Sequence, residues 1–171
     1  MKKFFSIFYF AAVAIVTAVC FTSCSSDDKK DPILDEDYLC FQYWVTNDVL
    51  DIADVNATGV NLSFGTEKTF TDPKGESHVG KLSQLVEFTG SKATNANFSI
   101  TFTLKSNWKE LLGKKDKFSC YHAHAVGNRK GSGANVGTNL IGGSLSRGSD
   151  RYDFEEAVSQ QIANLKYTYS K

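Results

Sequence analysis

Residues 98–104 read Phe-Ser-Ile-Thr-Phe-Thr-Leu: Phe98, Ile100, Phe102 and Leu104 take one parity, and Ser99, Thr101 and Thr103 take the other. A period of two puts successive side chains on opposite faces of an extended chain, so this stretch suits a strand with one apolar and one wet face. The apolar face of such a strand needs a second layer over it, which excludes an all-helical fold and points to antiparallel sheets. Tyr38–Thr46 (YLCFQYWVT) makes a stronger demand, because it is apolar on both parities and needs cover on both faces. Phe118–Val126 has the same two-sided character.

The rest of the pattern is consistent with short strands separated by turns. Asn47-Asp48 signals a turn, and Val49–Val55 suits either a second strand or a short helical turn. Val60–Phe64, Lys68–Thr71 and Val79–Phe88 are shorter strand candidates. Between the last two lies Asp72-Pro73-Lys74-Gly75, where proline presets φ and glycine supplies a permissive final position. Asn107, with Glu110 three residues on, suits a capping box opening a short helix that carries Trp108, Leu111 and Leu112 and ends at Gly113. Near the C-terminus the period changes. Phe154, Ala157, Val158, Ile162 and Leu165 share a helical face, with Ser149 or Asp150 as caps, and Leu165, Tyr167 and Tyr169 then alternate as a closing strand. The expected fold is mainly β: an antiparallel β-sandwich with one short inserted helix and a C-terminal helix, as a single domain over residues 37–171.

The first 36 residues follow different rules. Lys2 and Lys3 precede an unbroken apolar run, Ile7–Val16, inside a longer apolar stretch from Phe4 to Phe21. That run suits the apolar core of a secretory leader and is short for a membrane span, which takes about 20 residues. It ends at Phe21-Thr22-Ser23-Cys24, followed by Ser25-Ser26-Asp27-Asp28. Here the chain resembles bacterial lipoprotein precursors, in which small residues precede a cysteine that is acylated and becomes the new N-terminus. Thr22, Ser23 and Cys24 match that pattern, and Phe21 departs from its usual leucine. Cys20 is a poorer candidate because bulky Val19 precedes it. The acidic Ser25–Asp28 segment resembles the export signal of Bacteroidetes surface lipoproteins. An ordinary cleaved leader and an uncleaved anchor are the competing readings. The resemblance implies a leader over 1–23, lipidation at Cys24, an acidic tether over 24–36, and outer-membrane attachment at the cell surface, with a periplasm-facing anchor as the alternative. The aromatic opening strand, Asn47-Asp48 and Lys105-Ser106-Asn107-Trp108 extend the resemblance to small lipoproteins with an immunoglobulin-like domain. It brings no activity and no site residues with it.

Charge narrows the partners. The whole chain balances 19 basic against 19 acidic residues, and loss of Lys2 and Lys3 with the leader leaves a net charge of −2. That is no footprint for nucleic acid, whose binders carry a surplus of Lys and Arg.

Candidate chemistry centres on Cys120-Tyr121-His122-Ala123-His124. On a strand Cys120, His122 and His124 share a face, where the two imidazoles could converge on zinc or copper with a thiolate, a carboxylate or His78 completing the set. Two histidines at a strand end more commonly serve as surface or hydrogen-bonded residues. Cys40 and Cys120 remain once Cys24 is acylated, and an even pair outside the cytoplasm suggests a disulfide. That bond and a Cys120 metal ligand exclude one another, and two buried free thiols are the third option. Residues 127–148 hold seven of the 13 glycines, but no Gly-Lys-Ser/Thr closes a phosphate loop, so Arg129 and Lys130 belong to a flexible surface segment. Glu155 and Glu156 diverge by about 100° on a helix and make no catalytic pair. No serine-nucleophile elbow is present. Trp44, Trp108, Tyr152, Tyr167 and Tyr169 are the candidates for a glycan platform, with Trp44 expected in the core and the three tyrosines exposed.

These readings combine into a lipid-anchored, non-catalytic binding or structural module whose ligand is a glycan, an envelope protein or a host molecule. Two alternatives stand beside it: a small zinc or copper protein using His122 and His124, and an envelope subunit pairing through an edge strand.

Overall fold

The architecture comes from a computed structural model that describes residues 37–113, 115–130, 134, 136 and 139–171. Cys24, the leader and the tether lie outside the described residues, as does most of the 131–138 segment. In chain order the elements are β1 (Tyr38–Thr46), α1 (Asn47–Ile52), β2 (Ala53–Thr58), β3 (Phe64–Thr71), β4 (Ser77–Ser83), β5 (Val86–Thr89), α2 (Ser91–Thr94), β6 (Asn97–Leu104), α3 (Trp108–Leu112), β7 (Lys117–Gly127), β8 (Ile141–Ser146), α4 (Phe154–Asn164) and β9 (Lys166–Ser170).

The strands form two antiparallel sheets. The larger has the order β3-β4-β1-β7-β8, and the smaller has the order β2-β6-β9. On one side of β1, β5 pairs with Tyr38–Phe41 and β4 pairs with Trp44–Thr46. At the break between them, the Ser83 hydroxyl accepts from the Tyr43 N–H at 3.0 Å, and the Ser83 carbonyl accepts from Gln42 Nε2 at 3.0 Å.

The opening strand's two apolar faces each have a cover. Leu39, Phe41, Tyr43 and Val45 point inward against Phe98, Ile100 and Phe102 of β6 and against Phe154, Val158 and Ile162 of α4. The Phe41 and Phe98 rings lie 4.6 Å apart across the sandwich. On the outer face Tyr38, Cys40 and Trp44 join Phe70, Leu82, Tyr121 and Ala123, covered by Ala134 and Val136 of the glycine-rich segment. Ala134 and Val136, expected in a flexible surface loop, therefore help close a second small core. Full burial of a Phe-sized side chain stabilises by about 1.5–3 kcal/mol, so a strand buried on both faces contributes heavily.

The expected mainly β, antiparallel fold is what the chain adopts. The order of strands is its own: β1 is central to the larger sheet, whereas the opening strand of an immunoglobulin domain lies at an edge. β6 keeps the alternation read from its sequence, with Phe98, Ile100 and Phe102 buried. Asn47–Ile52 resolves to a helix before β2, and Val79–Phe88 divides into β4 and β5. β3 begins at Phe64, so Val60–Ser63 is connecting chain.

Both expected caps change. Asn107 precedes α3 at φ −103°, ψ 22°, not in the extended conformation that aims a cap side chain at the first-turn N–H groups, and it makes no such bond. Asp153, rather than Ser149 or Asp150, caps α4, because its carboxylate accepts from the Glu156 N–H at 2.8 Å. Asp153→Ala is expected to lower stability by about 1 kcal/mol, read as a lower urea midpoint with an unchanged slope.

Candidate functional site

The β3–β4 hairpin gathers the most chemically loaded group of side chains among the described residues. Antiparallel register sets Phe70 opposite His78 and Thr71 opposite Ser77, so Asp72 begins the turn as His78 enters the returning strand. The Asp72 carbonyl accepts from the Gly75 N–H at 3.0 Å, and Gly75 takes φ +85°, where a side chain would be strained. Asp72 Oδ1 accepts from the backbone N–H groups of Lys74 and Glu76, both at 2.9 Å. Partial desolvation raises the Asp72 carboxyl. The Glu76 N–H, His78 and the Lys74 N–H outweigh it and hold the group below its ordinary value.

That geometry leaves Oδ2 for the interior. It lies 3.4 Å from His78 Nε2 and 3.5 Å from the Tyr121 hydroxyl. His78 is 6% exposed, its ring centroid is 4.2 Å from that of Tyr121, and its Nδ1 is 2.8 Å from Ser119 Oγ. Glu76 is exposed. A cleft of about 380 Å³ opens beside the group, bounded in part by Asp48, Glu76, His78, Lys117, Ser119 and Ser144.

Asp72, His78 and Ser119 have the composition of a hydrolytic triad, but the surroundings oppose acyl transfer. A serine nucleophile needs N–H donors at the oxygen that becomes negative. Here the Ser119 N–H is taken by Asp48 Oδ2 at 2.7 Å, which puts a carboxylate beside the serine. Asp48 is itself held by Lys115 Nζ at 2.7 Å.

The histidine pair shares one face of β7, as its spacing requires, and that face is the inner one. His122 is buried and lies against Tyr43 at 5.4 Å between centroids, and His124 lies against Tyr167 at 4.0 Å. The two imidazoles are 6.2 Å apart. Burial, and secondarily His124, pushes the His122 imidazole down to about 4, and burial lowers His124 as well. Among the described residues no third ligand gathers with them, since the one cluster of three metal-ligating side chains is Asp72, Glu76 and His78. His78, expected as a candidate to complete the pair, packs with Tyr121 and Ser119 instead.

The disulfide expected between Cys40 and Cys120 is not formed, and both thiols are free and buried. Cys40 pairs with Gly127, so even-numbered residues of β1 share a face with odd-numbered residues of β7. Cys40 therefore sits in the outer cluster and Cys120 in the inner core, on opposite faces of one sheet. Neighbouring strands place such side chains on opposite sides of the backbone, out of bonding reach. Burial pushes the Cys120 thiol up to about 12 and raises Cys40, which keeps both protonated and unreactive.

The glycan platform does not assemble as expected. Trp44 is fully buried, as read from its strand. Tyr167 and Tyr169 turn inward, stacking on Phe41 at 5.4 Å and Phe98 at 5.1 Å respectively. Tyr152 remains exposed, its hydroxyl bonded to the backbone of Ser146. Glu155 meets Lys109 at 2.9 Å on the surface, and Glu156 accepts from Gln160, so neither pairs with the other.

Glu76 and Ser119 went unremarked in the sequence, and Asp72 was read there only as the start of a turn. The available signal was an acid and a histidine flanking one tight turn, which hairpin register brings together. No protein-family model matches this chain, and comparisons with curated proteins and with solved structures find no match either.

Proposed function

We propose that the chain is a lipid-anchored, non-catalytic binding module of the outer membrane, displayed on the cell surface by acyl chains on Cys24. The observation that carries this reading is the order of the N-terminal features: Lys2-Lys3, the apolar run Ile7–Val16, Thr22-Ser23-Cys24, then an acidic tether leading to a β domain. Each buried acyl methylene contributes about 0.8 kcal/mol, so several chains anchor a domain without a span. Among the described residues, no helix is long and apolar enough to cross a membrane. The ligand is a glycan or an envelope or host protein, bound through groups other than the inward-turned tyrosines of β9.

Cys24→Ala is expected to abolish incorporation of radiolabelled palmitate and to move the protein out of the membrane fraction. Retention of label would refute the anchor. Protease added to intact cells separates the two faces of the membrane, with lysed cells as the control for a resistant fold. Cleavage in intact cells supports surface display, and protection until lysis supports a periplasm-facing anchor.

One observation favours a second reading, an envelope subunit that adds a partner strand. Among the described residues β9 pairs with β6 on one side alone, leaving its outer side, one edge of the smaller sheet, without a strand. Concentration-dependent assembly of the purified chain would support it.

A further inference from the structure

We propose that Asp72, Glu76 and His78 form a binding site for one zinc-class divalent cation at the closed end of the β3–β4 hairpin. The first ground is the donor set. One imidazole nitrogen and two carboxylates lie with a ligand atom of each within 4.8 Å of the others, and the two carboxylates balance a charge of 2+. Imidazole with carboxylate suits zinc and its neighbours better than calcium or magnesium, which prefer oxygen throughout.

The second ground is an unanswered atom. His78 Nε2 is buried and has no hydrogen-bond partner, although it faces Asp72 Oδ2. Their separation of 3.4 Å is too long for a charge-assisted hydrogen bond, which runs at about 2.7–2.9 Å. It matches the edge of a tetrahedron around zinc, where ligands about 2.0–2.1 Å from the ion stand roughly 3.3 Å from one another.

The third ground is the support around the ligands. A metal-bound histidine usually has its other ring nitrogen fixed by a hydrogen bond, and His78 Nδ1 has that bond with Ser119 Oγ at 2.8 Å. Asp72 is likewise oriented by two backbone N–H groups on Oδ1, which leaves Oδ2 for the ion. Glu76 is exposed and closes the site from solvent, with water as the fourth ligand.

The test is calorimetric titration of zinc chloride into the full chain, purified in detergent and stripped with EDTA, with bound zinc counted by mass spectrometry. One zinc per chain is expected. Glu76→Gln, at an exposed position that leaves the fold intact by circular dichroism, should weaken binding at least tenfold. Ser119→Ala, which frees the His78 ring, should weaken it about 10–100-fold. His124→Gln should leave it unchanged. Absence of stoichiometric zinc would overturn the proposal, as would Glu76→Gln binding like the parent, or loss of binding in His124→Gln.

Discussion

Gly80→Ala is expected to lower the unfolding free energy by about 3 kcal/mol or more, a loss large enough to threaten folding. A Cβ at this position would lie 2.3 Å from the Val45 carbonyl oxygen and 2.6 Å from two ring atoms of Trp44. Neither neighbour can yield cheaply. The carbonyl belongs to the central strand, and the indole is fully buried, packed edge-on to Phe70 at 4.9 Å with its Nε1 donating to the Lys68 carbonyl at 2.9 Å. Gly65→Ala is the matched control, because nothing lies within 4 Å of its added methyl group. It should change stability by no more than about 0.5 kcal/mol. Urea unfolding of both variants measures the contrast, and equal midpoints would show that Trp44 does not need Gly80 beneath it.

Acidification should produce the second large effect. The His122 imidazole is held neutral in the folded chain, titrating at about 4 against an ordinary value of 6.5. Between these limits the unfolded chain binds the proton and the folded chain does not, so stability is complete above pH 6.5 and falls as pH drops toward 4. Across that window the loss is about 3 kcal/mol. His124, lowered in the same direction, adds to it. The Asp72 carboxyl, held below its ordinary 3.8, adds a further loss only at still lower pH. Urea unfolding at pH 7 and pH 4.5 reads the effect, and His122→Phe should flatten the dependence. A parent protein equally stable at both pH values would show that His122 is not kept neutral.

The sandwich was readable wherever one residue's neighbours along the chain determined its face. β6 alternates, α4 repeats at helical spacing, and Asp72-Pro73-Lys74-Gly75 carries its own turn chemistry, so each could be placed from sequence. Facts that depend on register could not. Cys40 and Cys120 share a parity along the chain, yet their pairing sum is odd, and this alone sends them to opposite faces. β8 was missed because Ile-Gly-Gly-Ser-Leu-Ser has almost no apolar pattern. Its Gly142 adopts φ +137°, with the position of a Cβ only 2.0 Å from the Cys120 carbonyl oxygen. The Asp72–His78–Ser119 group was hidden for the same reason as the missing disulfide. Its members come from a turn and two strands that are not neighbours in the sheet.

The central position of β1 has a consequence for how the protein is made. The first of the described strands to leave the ribosome, apolar on both faces, obtains its last neighbour only when β7 arrives, and its outer cluster, begun by Phe70 and Leu82, is completed only by Tyr121, Ala123, Ala134 and Val136. Export N-terminus first, which the proposed anchor would require, would therefore leave the larger sheet open until β7 followed, with β1 waiting longest for its last partner. A transcript cut short before Lys117 would yield a product with that segment bare along one side, a strong seed for aggregation.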